Sequence, residues 1–174
     1  MKVRNLFLIL LSVLVPQASF ATTTLTVHHH SFQIRIPQNW VRLLPSEENI
    51  VLQGPGPNGT HAVVFVSHTG QTGVEFNQTA LEADVGTYYE GRKTYIAQKN
   101  GKLIGLIPFW TDKKARAFSF GTGVDYQIGD EIYHERTRFT SCKGSVFQIK
   151  SLDFSSPEKA GSAFQLGKSF VCEN

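Results

Sequence analysis

The sequence predicts an α+β domain built on a mostly antiparallel sheet with two helices. Several short segments alternate apolar and polar residues, which is the period of a half-buried strand. Turn residues join these segments closely enough for antiparallel pairing. Two other stretches instead repeat apolar residues every three or four positions, as an amphipathic helix does. The chain has 174 residues, 41% of them hydrophobic and 18% charged, enough to bury one core.

Residues 1–21 read as an export signal. Lys2 and Arg4 precede a ten-residue apolar run, Leu6 to Val15, and Ser19-Phe20-Ala21 places small residues at the two positions a signal peptidase reads. Cleavage is expected after Ala21, leaving 22–174 as a single domain. The run falls well short of the about 20 residues a membrane-crossing helix needs. No cysteine follows it at the cleavage site for lipid attachment, so no stable membrane anchor is expected. The 17 Lys and Arg face 14 Asp and Glu; without Lys2 and Arg4 the balance is 15 minus 14, or +1, which gives no reason to expect nucleic acid as a partner.

Leu25 and Val27 alternate with threonines, and Phe32, Ile34 and Ile36 alternate with Gln33 and Arg35, giving two half-buried strands. Strands over 49–53 and 61–68 flank the loop Gly54-Pro55-Gly56-Pro57-Asn58-Gly59-Thr60, and the unbroken Ala62-Val63-Val64-Phe65-Val66 predicts a strand covered on both faces. Further strands are expected over 102–110, 115–121, 131–141 and 145–153, the last two joined by a tight turn at Cys142-Lys143-Gly144. The first helix runs from a capping box at Thr79 and Glu82, through Leu81, Val85, Tyr88, Tyr95 and Ile96, to a stop at Asn100-Gly101. The second is expected to start with Ser156 as N-cap and Pro157 at the first position, and to bury Ala160, Ala163, Phe164, Gly167, Phe170 and Val171.

Cys142 and Cys172 have no companion thiol and no redox or zinc spacing, so export favours one structural disulfide; the alternative is two buried thiols. The bond would clamp the end of the second helix to a strand end.

The segment Phe32-Gln33-Ile34-Arg35-Ile36-Pro37-Gln38-Asn39-Trp40 resembles the opening strand, Pro turn and Trp of the PsbP-like fold, which DcrB-like bacterial envelope proteins and a Ran-binding nuclear-transport factor share. Gly167-Lys168-Ser169-Phe170 resembles its closing helix, and the order of elements matches over most of residues 24–172. The resemblance implies a three-layer α/β/α sandwich with the antiparallel sheet between helical layers, in proteins that mostly bind or help assemble other proteins.

Few residues point to chemistry. Gly54, Gly56 and Gly59 spell a dinucleotide fingerprint, but Pro55 and Pro57 remove amide donors and a strand follows, so the segment reads as a hairpin loop. His28 and His30 share a strand face and are weak metal candidates without an acidic companion, so no metal site is assigned. No Ser lies in a nucleophile elbow, and Asp130, Glu131 and Glu135 read as a solvated strand face. No catalytic residue and no cofactor are expected, and the chain is not expected to be an enzyme; a hydrolase site around His134 or His61 is the least favoured reading.

Trp110, Lys113, Lys114 and Arg116 on an expected strand connection form the candidate interaction surface. Tyr88, Tyr89 and Tyr95 are expected to pack the first helix with their hydroxyls wet. The leading expectation is an exported, disulfide-stabilised, non-enzymatic module that binds a protein in the bacterial periplasm or after secretion by the type II route. The alternative is a small-ligand carrier or immunity-type inhibitor with a pocket between sheet and long helix, lined by Tyr88, Tyr95 and Trp110. Intact mass of the protein from its native cell should correspond to a chain starting at Thr22 and lacking two thiol hydrogens relative to its reduced form. A retained Met1, or equal oxidised and reduced masses, would remove the export reading or the disulfide respectively.

Overall fold

The computed structural model describes residues 20–27, 29–45, 49–56, 60–72, 78–114, 117–154 and 161–172. They form ten strands, β1 Phe20–Val27, β2 His30–Pro37, β3 Val41–Pro45, β4 Asn49–Pro55, β5 His61–Thr72, β6 Lys102–Lys114, β7 Ala117–Ile128, β8 Glu131–Cys142, β9 Ser145–Phe154 and β10 Val171–Cys172. Helix α1, Gln78–Gln98, lies between β5 and β6, and helix α2, Ser162–Lys168, precedes β10.

Seven strands make one antiparallel sheet in the order β3-β4-β5-β9-β8-β7-β6, and β1-β2-β10 make a second, smaller one. The main core lies between the large sheet and a layer formed by the small sheet with α2; α1 covers part of the opposite face. This is the expected mostly antiparallel α+β architecture, with three β-strands added to the layer that holds α2.

The alternation in β2 works as its sequence predicts: Phe32 and Ile34 are buried and Gln33 and Arg35 exposed. Ile50 and Leu52 of β4, with Val64 and Val66 of β5, meet them from the large sheet. Phe32 lies edge-on to Phe147 and Phe170, with ring centroids 4.9 and 6.2 Å away. β5 differs from expectation. Among the described residues only one of its faces packs into the core; on the other, Val63 is half-buried and Phe65 is 40% exposed. Its apolar run therefore reflects a second face that the described residues leave partly exposed, not full burial on both sides.

α1 stops as expected. Asn100 takes the left-handed conformation at φ 53°, and the Gly101 amide donates to the Ile96 carbonyl at 2.8 Å. The Thr79 and Glu82 side chains of the expected capping box lie outside the described set. β3 and β10 were not foreseen; both are short, and β3 carries a register shift between Arg42 and Leu44.

The second helix departs most from expectation. Its predicted start at Ser156 and Pro157, and Ala160, lie outside the described residues, and the chain leaves the helix after Lys168. Val171 and Cys172 instead pair with Gln33 and Phe32, and Val171 is 59% exposed rather than buried. The disulfide from Cys142 thus clamps a strand, with a Cα–Cα distance of 5.7 Å. Closing a loop of sequence separation 30 stabilises the fold by about 3 to 4 kcal/mol in the chain-entropy model.

The large sheet holds α2 at both ends. No side chain of the helix's own N-cap, Gly161, satisfies its first amides; Asp153 of β9 does so, accepting from Ala163 N at 2.8 Å and Phe164 N at 3.0 Å. Gly161 is needed there because a Cβ would run into the Asp153 carboxylate. At the other end Arg138 of β8 donates to the carbonyls of Gly167, Lys168 and Phe170 at 3.4, 3.1 and 3.1 Å. Both charges complement the helix dipole. Asp153→Ala should cost roughly 2 kcal/mol, since it orphans buried amides. Hydrogen exchange over 161–172 should rise in both Asp153→Ala and Arg138→Met; unchanged exchange would show that the helix holds itself.

Candidate interaction surfaces and buried charge networks

The large sheet presents its two faces to different partners. The row Val41, Gln53, Val63, Leu152, Glu135, Val124 crosses adjacent strands on the α1 face, as does the parallel row Val51, Phe65, Lys150, Thr137, Thr122. α1 packs over the β6 and β7 end of these rows, against Val124, Tyr126 and Leu103. Among the described residues nothing lies over the β3, β4 and β5 end, where Val41 is 54% exposed.

The described part of α1 combines a small apolar cluster around Ile96 with polar contacts. Among its described side chains only Val85 and Ile96 are buried. Tyr88 donates to Glu135 Oε1 at 3.0 Å, Arg92 pairs with Glu135 Oε2 at 2.7 Å, and Lys150 Nζ approaches Oε1 at 3.5 Å. Glu135 is 3% exposed. It is thus no part of a solvated strand face, because α1 lies over it and brings the compensating cation. Tyr88 and Tyr89 are likewise not wet. Tyr89 donates to the Ile107 carbonyl and lies 2.6 Å from Thr122 Oγ1. Burial, reinforced by the Glu135 charge, pushes the Tyr88 hydroxyl far above its ordinary range. Tyr95 remains on the surface beneath the Arg92 guanidinium, 4.2 Å from its ring centroid.

Trp110 lies on the opposite face. Its indole packs where a Cβ of Gly121 would stand, and it borders Arg136, Arg138 and Phe164 on the α2 side. A pocket lined jointly by Tyr88, Tyr95 and Trp110 is therefore excluded, since the sheet separates them. Lys113 and Lys114 extend β6, paired with Phe118 and Ala117, so the expected connection is strand up to Lys114. Their side chains, and Arg116 entirely, lie outside the described residues.

His134, on the α2 face, has Nδ1 2.9 Å from Asp125 Oδ1, and Arg136 donates to the same oxygen at 2.6 Å. The carboxylate holds two neighbouring side chains in place across β7 and β8. His61, exposed at the start of β5, is not part of this group. His28 lies outside the described residues, while the His30 ring lies edge-on to Phe147, centroids 5.1 Å apart. Among the described residues no group of three His, Cys, Asp or Glu could hold a metal ion. Of the glycine fingerprint, Gly54 sits in β4 with no room for a side chain beneath Trp40, and the Gly56 amide closes the loop onto the Thr60 carbonyl at 2.8 Å. Gly59 lies outside the described residues.

Two carboxylates titrate in opposite senses. Burial pushes Asp125 up, but the hydrogen bonds from Arg136 and His134 outweigh it and hold the group below its ordinary 3.8. Its contribution is present above that value and is lost as pH falls through the native one. For Asp153 burial wins over its two amide bonds and raises the group, so its ionisation opposes folding as pH rises through the native value. Asp125→Asn should therefore lower stability by about 1 kcal/mol near neutrality, and the gap to wild type should close towards pH 2. Urea unfolding at both pH values checks this; a gap independent of pH would place the cost in packing.

No family model matches the sequence, and no curated protein matches it. The likeness is in structure. The cyanobacterial PsbP (CyanoP) from Synechocystis sp. PCC 6803 superposes with a TM-score of 0.57 over 90% of this chain and 94% of that one, at 16% identity. A Pseudomonas aeruginosa protein of unknown function, PA94, gives a TM-score of 0.38 at 13% identity, over 76% of this chain and 82% of that one. The two-helix, mostly antiparallel architecture described above, matched nearly end to end by CyanoP, is the PsbP-like fold.

Proposed function

We propose that this chain is an exported protein-interaction module whose docking face is the uncovered end of the large sheet. The observation that carries the reading is the apolar band at this end, with Val41 54% and Phe65 40% exposed beside half-buried Val51, Val63 and Leu152. Exposed apolar side chains grouped in this way, with Gln53 and Lys150 among them, are the kind a partner covers. The apolar leader, the disulfide and the lack of any described helix long and apolar enough to cross a membrane support an extracytoplasmic setting. The occupant is a folded protein presenting an apolar surface to Phe65 in the bacterial periplasm or the medium.

Lys113 and Lys114, at the end of β6, belong to a second contact, not to the first. β6 is the far edge strand of the sheet and Phe65 lies on β5, so four strand spacings of about 4.8 Å, roughly 19 Å, separate β6 from Phe65 across the strands. Crosslinking capture with the mature protein in its native envelope, alongside fractionation of cells and medium, tests the reading. Phe65→Asp should lose the captured protein while the melting temperature stays within a few degrees, because the side chain is already partly wet. Charge reversal at Lys113 and Lys114 should slow capture without abolishing it. Capture that survives Phe65→Asp would sink the sheet-face assignment.

A further inference from the structure

A groove of about 520 Å³ lies on the other side of the large sheet, between α2 and the turn from β2 to β3. We propose that it binds a small organic monoanion with a flat apolar body. Its size falls within the range of small-molecule sites. Trp40 and Leu166, 7% and 4% exposed, form its floor. The rings of Pro37 and Pro55 add further apolar wall, and exposed Asn39 and Gln165 supply neutral polar groups at the rim.

Charge decides the class of ligand. Among the described residues Arg35 is the one charged side chain lining the groove, and none of the described lining residues is a carboxylate. The alternation of β2 turns Arg35 outward, away from the core that holds Ile34 and Phe32. Among the described residues its guanidinium makes no ion pair or hydrogen bond, so its planar fork is open to a carboxylate or sulfonate.

The walls are built before any ligand arrives. The Trp40 amide donates to the Pro37 carbonyl at 3.0 Å, closing the turn, and the indole rests where Gly54 has no side chain. α2 is fastened at both ends by Asp153 and Arg138. A site fixed in this way loses little entropy when it is filled. The groove and the apolar band lie on opposite faces of the sheet, so either assignment stands without the other.

A matched pair of probes tests the proposal on the mature, disulfide-bonded protein. Anilinonaphthalene sulfonate carries a flat aromatic body and one negative charge, and phenylnaphthylamine carries the same rings without the charge. Calorimetry should find one saturable site for the anion and binding about tenfold weaker for the neutral amine. Arg35→Gln should cost the anion about tenfold and leave the amine unchanged, with the melting temperature preserved because Arg35 is exposed. Gln165→Tyr, which narrows the groove from α2, should weaken both. Equal affinity for the two probes, or anion binding indifferent to both substitutions, overturns the proposal.

Discussion

The short helix near the C-terminus cannot hold itself, and its attachment to the sheet is the constraint on which the rest of the structure depends. A seven-residue helix is too short to be stable in isolation. Asp153 takes its first amides and Arg138 its last carbonyls, from adjacent strands of the large sheet. Each charge sits at the helix end whose dipole it complements. With the helix placed, Ala163, Leu166 and Phe170 close the main core, and the chain that follows reaches the edge of β2. The disulfide then locks that last strand to β8, the strand that also supplies Arg138.

The long helix is attached by a different logic. Among its described side chains only Val85 and Ile96 are buried, and it engages the buried Glu135, which Arg92, Tyr88 and Lys150 surround. A buried carboxylate of this kind adds little net stability over an apolar contact, yet removing one partner is costly because a charge stays behind without compensation. Such an arrangement specifies where the helix sits. It sits over one end of the sheet, and the apolar rows continue beyond it to Val63 and Phe65.

The fold therefore offers two kinds of surface on opposite faces. One is the partly exposed apolar end of the large sheet, the face proposed above for docking another protein. The other is a groove with a tryptophan floor and Arg35 as the cation among its described lining, the site proposed above for a small anion. A PsbP-like scaffold with a disulfide and an apolar leader can carry both, and fold alone chooses neither.

What could be read from the sequence is what depends on residues near one another in the chain. Period-two alternation marked β2, the turn at Lys143 and Gly144 joined β8 to β9, and Asn100-Gly101 ended the long helix, because each is local backbone chemistry. The pairing of Cys142 with Cys172 was legible because no other cysteine competes. Tertiary structure alone decided the rest. Asp153 caps a helix ten residues away, Glu135 is buried by a helix that precedes it by some forty residues, and Phe65 is left partly exposed while α1 packs on β6 and β7. Trp110 and Tyr88 were placed together by sequence, and the sheet between them keeps them apart. A strand's alternation says that its two faces differ; which neighbour each face meets depends on strand order and layer packing, and these are set by contacts between distant parts of the chain.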